Sequence, residues 1–163
     1  MNSIMNEYGV IGSLLIDSSL FPEAAGLPDQ AFSSPALQEV FRTMRRQYEG
    51  RGGFDALTVS VEARRNCPEV TDELLAQMMD ITPTTANLDA YIAAVKEEFL
   101  ARSLREIGAG LMEAEQAPLE ALGRVQDALQ RLTEENTRGD TDTLTDALVR
   151  LGNRVAEQVN GKA

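Results

Sequence analysis

The side chains that would carry covalent or metal chemistry are almost missing from this sequence. It contains no histidine in 163 residues, and Cys67 is the single cysteine. Ser-His-Asp triads, Cys-His nucleophilic pairs and zinc sites are thereby excluded from the chain. Cys67 precedes Pro68 and has only Arg64 and Arg65 as nearby cations, so it reads as a small loop thiol rather than a reactive nucleophile. The phosphate-cradling pattern Gly-x-x-x-x-Gly-Lys-[Ser/Thr] fails at two positions: Ala156 stands where its first glycine belongs, and Gly161-Lys162 is followed by Ala163. The carboxylate neighbours Glu97-Glu98 and Glu134-Glu135 point to different sides of a helix and cannot converge as a catalytic pair. No catalytic residue, metal site or cofactor is therefore assigned. What remains is binding. Arg42, Arg45, Arg46 and Arg51 form either a basic stripe or a solvated helix face paired with Glu39 and Glu49, the second being the more economical reading. A formal net charge of −11 weighs against tight nucleic-acid binding, which rests on clustered cations.

The elements that would position such residues are helical throughout. Aromatic residues make up only 5% of the chain, alanine, leucine and glutamate are abundant, and β-branched runs are nearly absent. An apolar helix is expected over residues 7–16, with Tyr8, Ile11, Leu14 and Leu15 on one face. Asp17 then caps a short turn closed by Gly26, and Ser34-Pro35 supplies a cap and an N1 proline for a helix over 36–49 whose buried stripe is Leu37, Val40, Phe41, Met44 and Tyr48. Gly50-Arg51-Gly52-Gly53 reads as the clearest loop, and Thr58-Val59-Ser60-Val61 as a short helix. Thr71 starts the helix bearing Leu74, Leu75, Met78 and Ile81. Pro83 disfavours helical geometry at Thr82 and ends that segment, and Thr84 caps the next one.

That next helix is the long one. Leu88, Ile92, Val95, Phe99, Leu104, Ile107 and Leu111 continue at helical spacing over about 27 residues, roughly 40 Å. Gly108 and Gly110 lie within it and imply close approach of a second backbone or a frayed end. After Gln116-Ala117-Pro118, the residues Leu119, Leu122, Val125, Leu129 and Leu132 supply a second helix to about residue 136. A polar linker (137–142) precedes a last amphipathic segment (143–163) carrying Leu144, Leu148, Leu151, Val155 and Val159. The fold class is all-α: a helical head made as an orthogonal bundle of short helices (within residues 1–112), a long antiparallel helical hairpin (about 85–112 and 113–136) and a C-terminal linker helix. No basic, apolar leader opens the chain and no apolar run reaches the roughly 20 residues of a membrane span, so a cytoplasmic protein is expected.

The order of motifs resembles one family. Thr82-Pro83-Thr84-Thr85-Ala86-Asn87-Leu88-Asp89-Ala90-Tyr91 is similar to the Thr/Val-Pro-[small]-Ala-Ala-Asn-x-x-x-Tyr signature of the N-terminal domain of DnaB-family replicative helicases. Gly12-Ser13-Leu14-Leu15-Ile16-Asp17 resembles the family's Leu-Gly-[small]-Leu-Leu-Leu-Asp, and Pro28-Asp29-Gln30-Ala31-Phe32 its Pro-Glu-Asp-Phe. Val40-Phe41-Arg42-Thr43-Met44 and Phe54-Asp55-Ala56-Leu57-Thr58-Val59 follow in the same order as Ile-Phe-x-Ala-Met and Ile-Asp-x-x-Thr-Leu. Two departures stand out. The family's aromatic-x-x-[Ala]-His is Phe32-Ser33-Ser34-Pro35-Ala36-Leu37 here, without the histidine, and the Gly-Gly turn before the helix of Leu74 is missing. They suggest a divergent member of phage or mobile-element type.

The resemblance implies a collar domain that pairs subunits of a hexameric ring and contacts primase, with a helicase loader as a further partner. ATP and Mg belong to a RecA-like motor that would follow, on which the segment 143–163 would dock. It places Leu74, Arg105 and Leu111 on the partner-facing side, and self-association on Val95, Phe99, Leu122, Val125 and Leu129. The alternative is a free-standing helicase-interaction protein, a loader or inhibitor with the same collar fold.

Overall fold

A computed structural model describes residues 3–112, 118–137 and 154. Among them every regular element is helical. The head contains α1 (Ser3–Ile16), α2 (Phe21–Ala24), α3 (Pro35–Arg51), α4 (Ala56–Asn66) and α5 (Asp72–Asp80). Two long helices follow, α6 (Leu88–Met112) and α7 (Pro118–Thr137). The chain divides into two compact units, residues 1–99 and 100–163, so that α6 runs from the first into the second. Apart from Thr137 and Arg154, the polar linker and the helix expected over 143–163 lie outside the described residues.

The helix boundaries in the head follow from local hydrogen-bond chemistry. Helix N-termini leave backbone N–H groups without partners, and short polar side chains fill them. Asp17 accepts from the Ser19 N–H, Ser34 from Leu37, and Thr71 from Leu74. Asp55 and Thr58 form a reciprocal capping box at the start of α4. Thr84 accepts from the Ala86 N–H, but it caps a short 3-10 turn, Thr85–Asn87, and α6 proper begins at Leu88.

The loop expected at Gly50-Arg51-Gly52-Gly53 is shorter than its composition implies. α3 continues through Gly50 to Arg51 and stops at Gly52, whose φ of 76° is left-handed and whose N–H donates to the Tyr48 carbonyl at 2.7 Å. One helix-ending glycine suffices, because it alone has to adopt a positive φ.

The core of the head is a single cluster. Phe21 from the four-residue α2 lies at its centre, with ring centroids 5.6 Å from Phe41, 5.2 Å from Tyr48 and 6.0 Å from Phe54. Phe32 stacks on Phe41 at 4.8 Å. Val10, Ile11 and Leu14 from α1, Leu37, Val40 and Met44 from α3, and Leu75 and Met78 from α5 belong to the same buried cluster. Leu88, Ile92 and Val95 bring the first half of α6 into the same cluster.

α1 packs most extensively on α5, and two glycines make its approaches possible. A Cβ on Gly12 would overlap the Met78 carbonyl oxygen and Thr82 Oγ1, and one on Gly9 would lie 2.7 Å from the Tyr91 ring. Gly108 and Gly110 behave differently: among the described residues nothing lies within 4 Å of a Cβ at either. The helix runs through both to Met112, and among the described residues no close backbone approach accounts for either.

The buried stripe of α7 is Ala121, Val125, Leu129 and Leu132. It departs from the expected one at its start. Leu119 is exposed and Leu122 only half-buried, because the face with helical spacing from Leu132 back through Val125 arrives at Ala121.

Urea denaturation of two glycine variants tests these assignments. Gly12→Ala should cost about 1–3 kcal/mol through overpacking against backbone, whereas Gly110→Ala should gain about 1 kcal/mol from helix propensity alone. Equal responses at the two positions would contradict the packing described.

Candidate interaction surfaces

Polar side chains on the head organise around one buried carboxylate, Glu39 of α3. It accepts hydrogen bonds from Arg42 Nη1 at 2.6 Å, Asn66 Nδ2 at 2.9 Å, Arg46 Nη2 at 3.2 Å and Thr43 Oγ1 at 3.3 Å. Burial opposes ionisation here, but the hydrogen bonds from Asn66, Arg46 and Arg42 outweigh it and hold the Glu39 carboxyl below its ordinary value. The Asn66 bond ties the end of α4 to α3.

The arginine stripe is for the most part spent on such contacts. Arg42 also pairs with Asp29 at 3.2 Å. Arg45 donates to the Leu27 carbonyl at 2.7 Å, lies 3.8 Å from Asp29 and covers the Phe41 ring at 5.1 Å. Arg46 reaches Glu62 of α4 at 3.2 Å. The paired reading therefore holds for three of the four, with Asp29 and Glu62 taking the part expected of Glu49. Arg51 makes no ion pair within 4.0 Å among the described residues.

Two further carboxylates do structural work that periodicity gave no reason to single out. Glu7, buried on α1, accepts from the Ser33 N–H and from Ser33 Oγ at 2.8 Å, fastening the turn before α3. Asp72 at the start of α5 accepts from Ser60 Oγ and from Arg64 Nη2 at 2.7 Å. The Ser60 hydrogen bond, with help from the Arg64 charge, lowers the Asp72 carboxyl. The available signal for Glu7 was an acid set inside an otherwise apolar helix face.

The residues singled out for binding fall in different environments. Leu74 is half-buried against the head core; Val95 is 1% exposed inside that core, and Phe99 packs on its edge. In the second unit Arg105 is exposed, Leu111 and Leu122 are half-buried, and Val125 and Leu129 are buried. Met112 and Leu119, at 80% and 77% exposure, flank residues 113–117 and are the most exposed large apolar side chains described. Met78 belongs to the head core and Met79 packs on it. Cys67 is half-buried and also packs against the core.

Among the described residues no group of three or more His, Cys, Asp or Glu side chains is placed to hold a metal ion. No described helix is long and apolar enough to cross a membrane.

A family model described as the DnaB-like helicase N-terminal domain matches residues 1–97. The chain belongs to the DnaB-like helicase N-terminal domain family. The replicative DNA helicase DnaB of Rhodothermus marinus is 26% identical over 164 aligned positions, covering 96% of this chain and 17% of that protein. The DnaB of Geobacillus stearothermophilus is 30% identical over 108 residues, or 63% of this chain and 23% of the relative. The chain thus spans about a fifth of the length of these curated relatives. The crystal structure of the N-terminal domain of DnaB helicase from Mycobacterium tuberculosis superposes with a TM-score of 0.68 at 28% identity, covering 77% of this chain and 94% of that one.

In this DnaB-like domain, motifs far apart in sequence meet. Gly12, which opens the Gly12–Asp17 motif, lies against Thr82, which opens the Thr82–Tyr91 motif, and Gly9 lies against Tyr91, which closes it. The head's electrostatic hinge point, Glu39, is open to test. Glu39→Gln keeps the volume but loses the charge-assisted bonds, and should cost about 2 kcal/mol at neutral pH. A depressed folded pKa adds stability above the ordinary value of 4.5 and loses it as pH falls through the folded value. The stability gap between wild type and variant should accordingly be full at pH 7 and shrink well below 4.5; a gap that is independent of pH would contradict the role.

Proposed function

We propose that this chain serves as the N-terminal collar domain of a replicative DNA helicase, pairing subunits of the ring and presenting a surface to primase. The observation that carries this reading is the structural match, which spans 94% of the mycobacterial N-terminal domain. In the proposed parent, ATP and Mg act in a separate motor domain, and this domain contributes assembly and partner choice.

Physical chemistry supports a binding role. α6 and α7 are 25 and 20 residues long, and they carry Met112 and Leu119 into solvent. Exposed apolar side chains of that size at the adjoining ends of two helices mark a surface that gains by being covered. Val95, Val125 and Leu129 are already buried within one chain, so Leu122 and Phe99 are the residues of the pairing set with apolar area to offer a second copy, and Leu119, outside that set, offers more. Arg105 and Leu111, in the same unit, supply a charge and an apolar contact for primase, while Leu74 supplies one on the head. A loader is a further partner of the parent helicase.

Calorimetry with the helicase-binding C-terminal domain of the cognate primase tests the partner. Saturable binding is expected, weakened about tenfold or more by Leu111→Asp, and less by Arg105→Glu, because interface centres tolerate unpaired charge poorly. No heat of binding to the unmodified chain would refute the primase assignment. Light scattering over a concentration range tests pairing: dimers or larger assemblies are expected, shifting toward monomer in Leu119→Asp, and a strict monomer at every concentration would refute it.

A further inference from the structure

We propose that the groove between α3 and α4 is a docking site for an acidic, apolar-bearing peptide segment of a partner protein. It is an open groove of about 600 Å³, lined from α3 by Arg46, Gln47 and Arg51 and from α4 by Leu57, Val61 and Arg65, with Thr58 and Glu62 also in its lining. On α4, Leu57, Val61 and Arg65 stand four residues apart and so form one stripe along the helix. Leu57 is 71% exposed and Val61 48%, an apolar pair that the head's own core leaves in solvent.

The charge around that pair selects the occupant. Arg51 and Arg65 make no ion pair within 4.0 Å among the described residues. Arg46, by contrast, is held by Glu39 and Glu62, and Gln47 ties α3 to α4 by donating to Glu62 at 2.6 Å and to the Thr58 carbonyl at 3.0 Å. The groove therefore combines an exposed apolar pair with two cations that make no ion pair within 4.0 Å among the described residues, one from each helix, of which Arg51 is near enough to Asp55 to help lower that carboxyl. On a chain of net charge −11 such a cationic site is the exception, and the roughly 8 Å screening length at physiological salt lets it act locally. An aspartate- or glutamate-rich segment with apolar residues about one helical turn apart matches both features: its apolar side chains cover Leu57 and Val61, and its carboxylates meet Arg51 and Arg65. Nucleic acid matches neither as well. The centre of the site is aliphatic, with no aromatic ring in its lining for base stacking, and the acidic chain as a whole repels a polyanion.

The proposal is independent of the primase assignment, since none of Leu74, Arg105 and Leu111 lines the groove. Fluorescence anisotropy on the full chain tests it, using a fluorescein-labelled peptide with two leucines four residues apart flanked by aspartates, and a version with lysines in place of the aspartates. The acidic peptide should bind, and the lysine version should bind at least about tenfold more weakly. Leu57→Ser should weaken the acidic peptide about tenfold. Arg65→Gln should weaken it about threefold and flatten its salt dependence. Both side chains are exposed, so both variants should keep the wild-type melting transition, which is measured alongside. Absence of acidic-peptide binding, equal binding of the two peptides, or an affinity indifferent to Leu57→Ser overturns the proposal. Binding of single-stranded oligonucleotide that Arg65→Gln abolishes, with no peptide binding, would assign the groove to nucleic acid instead.

Discussion

The head depends on how closely α1 can approach α5 and the start of α6, and that distance is set by two glycines. Gly12 faces the last turn of α5, where Thr82 Oγ1 donates to the Met78 carbonyl at 2.7 Å. Gly9, close to one turn earlier, faces the ring of Tyr91. A side chain at either position would force the helices apart and open the cluster formed by Ile11, Leu14, Leu75 and Met78. Close packing leaves no slack for such a shift, since interiors are filled nearly to crystal density. Pro83 completes the arrangement by ending α5 at the point where Gly12 meets it, so that the chain must turn before α6 begins.

Around that apolar frame the polar groups act as spacers with fixed geometry. Glu39 gathers Arg42, Arg46 and Asn66, and Glu7 takes both polar groups of Ser33. A buried carboxylate is tolerated only where donors surround it, and both sites meet that condition. Their effect on function is indirect. Glu39 draws Arg42 and Arg46 into contacts within the head, and Asp29 with the Leu27 carbonyl draws in Arg45, which leaves Arg51 and Arg65 as the cations of the α3/α4 groove without an ion pair within 4.0 Å among the described residues, while the Asn66–Glu39 and Arg46–Glu62 contacts tie α4 to α3.

The helical class, the order of elements and most helix starts were legible in the sequence, because capping depends on residues within one turn: Asp17, Ser34, Thr71 and Thr84 all accept the bonds their types implied. Helix ends were less legible. Gly50 sits inside α3 because a helix tolerates a glycine at modest cost, and only Gly52 needs the left-handed conformation. The Glu39–arginine pairing, at helical spacing, was legible, but the Ser33 bonds of Glu7 and the Asn66 bond of Glu39 join residues 26 and 27 apart, which no periodicity reveals. On α7 the error was one of phase: Leu119 and Leu122 are large and apolar, yet the buried face passes through the smaller Ala121. The family resemblance located the two motifs without showing that they touch, since Gly12 and Thr82 are close only in three dimensions.

That contact is also the most direct point of attack. Nuclear Overhauser spectroscopy on isotopically labelled protein, with Gly9, Gly12, Thr82 and Tyr91 assigned, reads the two approaches without any mutation. Expected are strong cross-peaks from the Gly12 α-protons to Thr82 and from the Gly9 α-protons to the Tyr91 ring. Their absence in a folded sample, with all four residues assigned, would mean that α1 does not seat on α5 and α6 as described, and would remove the physical basis for the DnaB-type head.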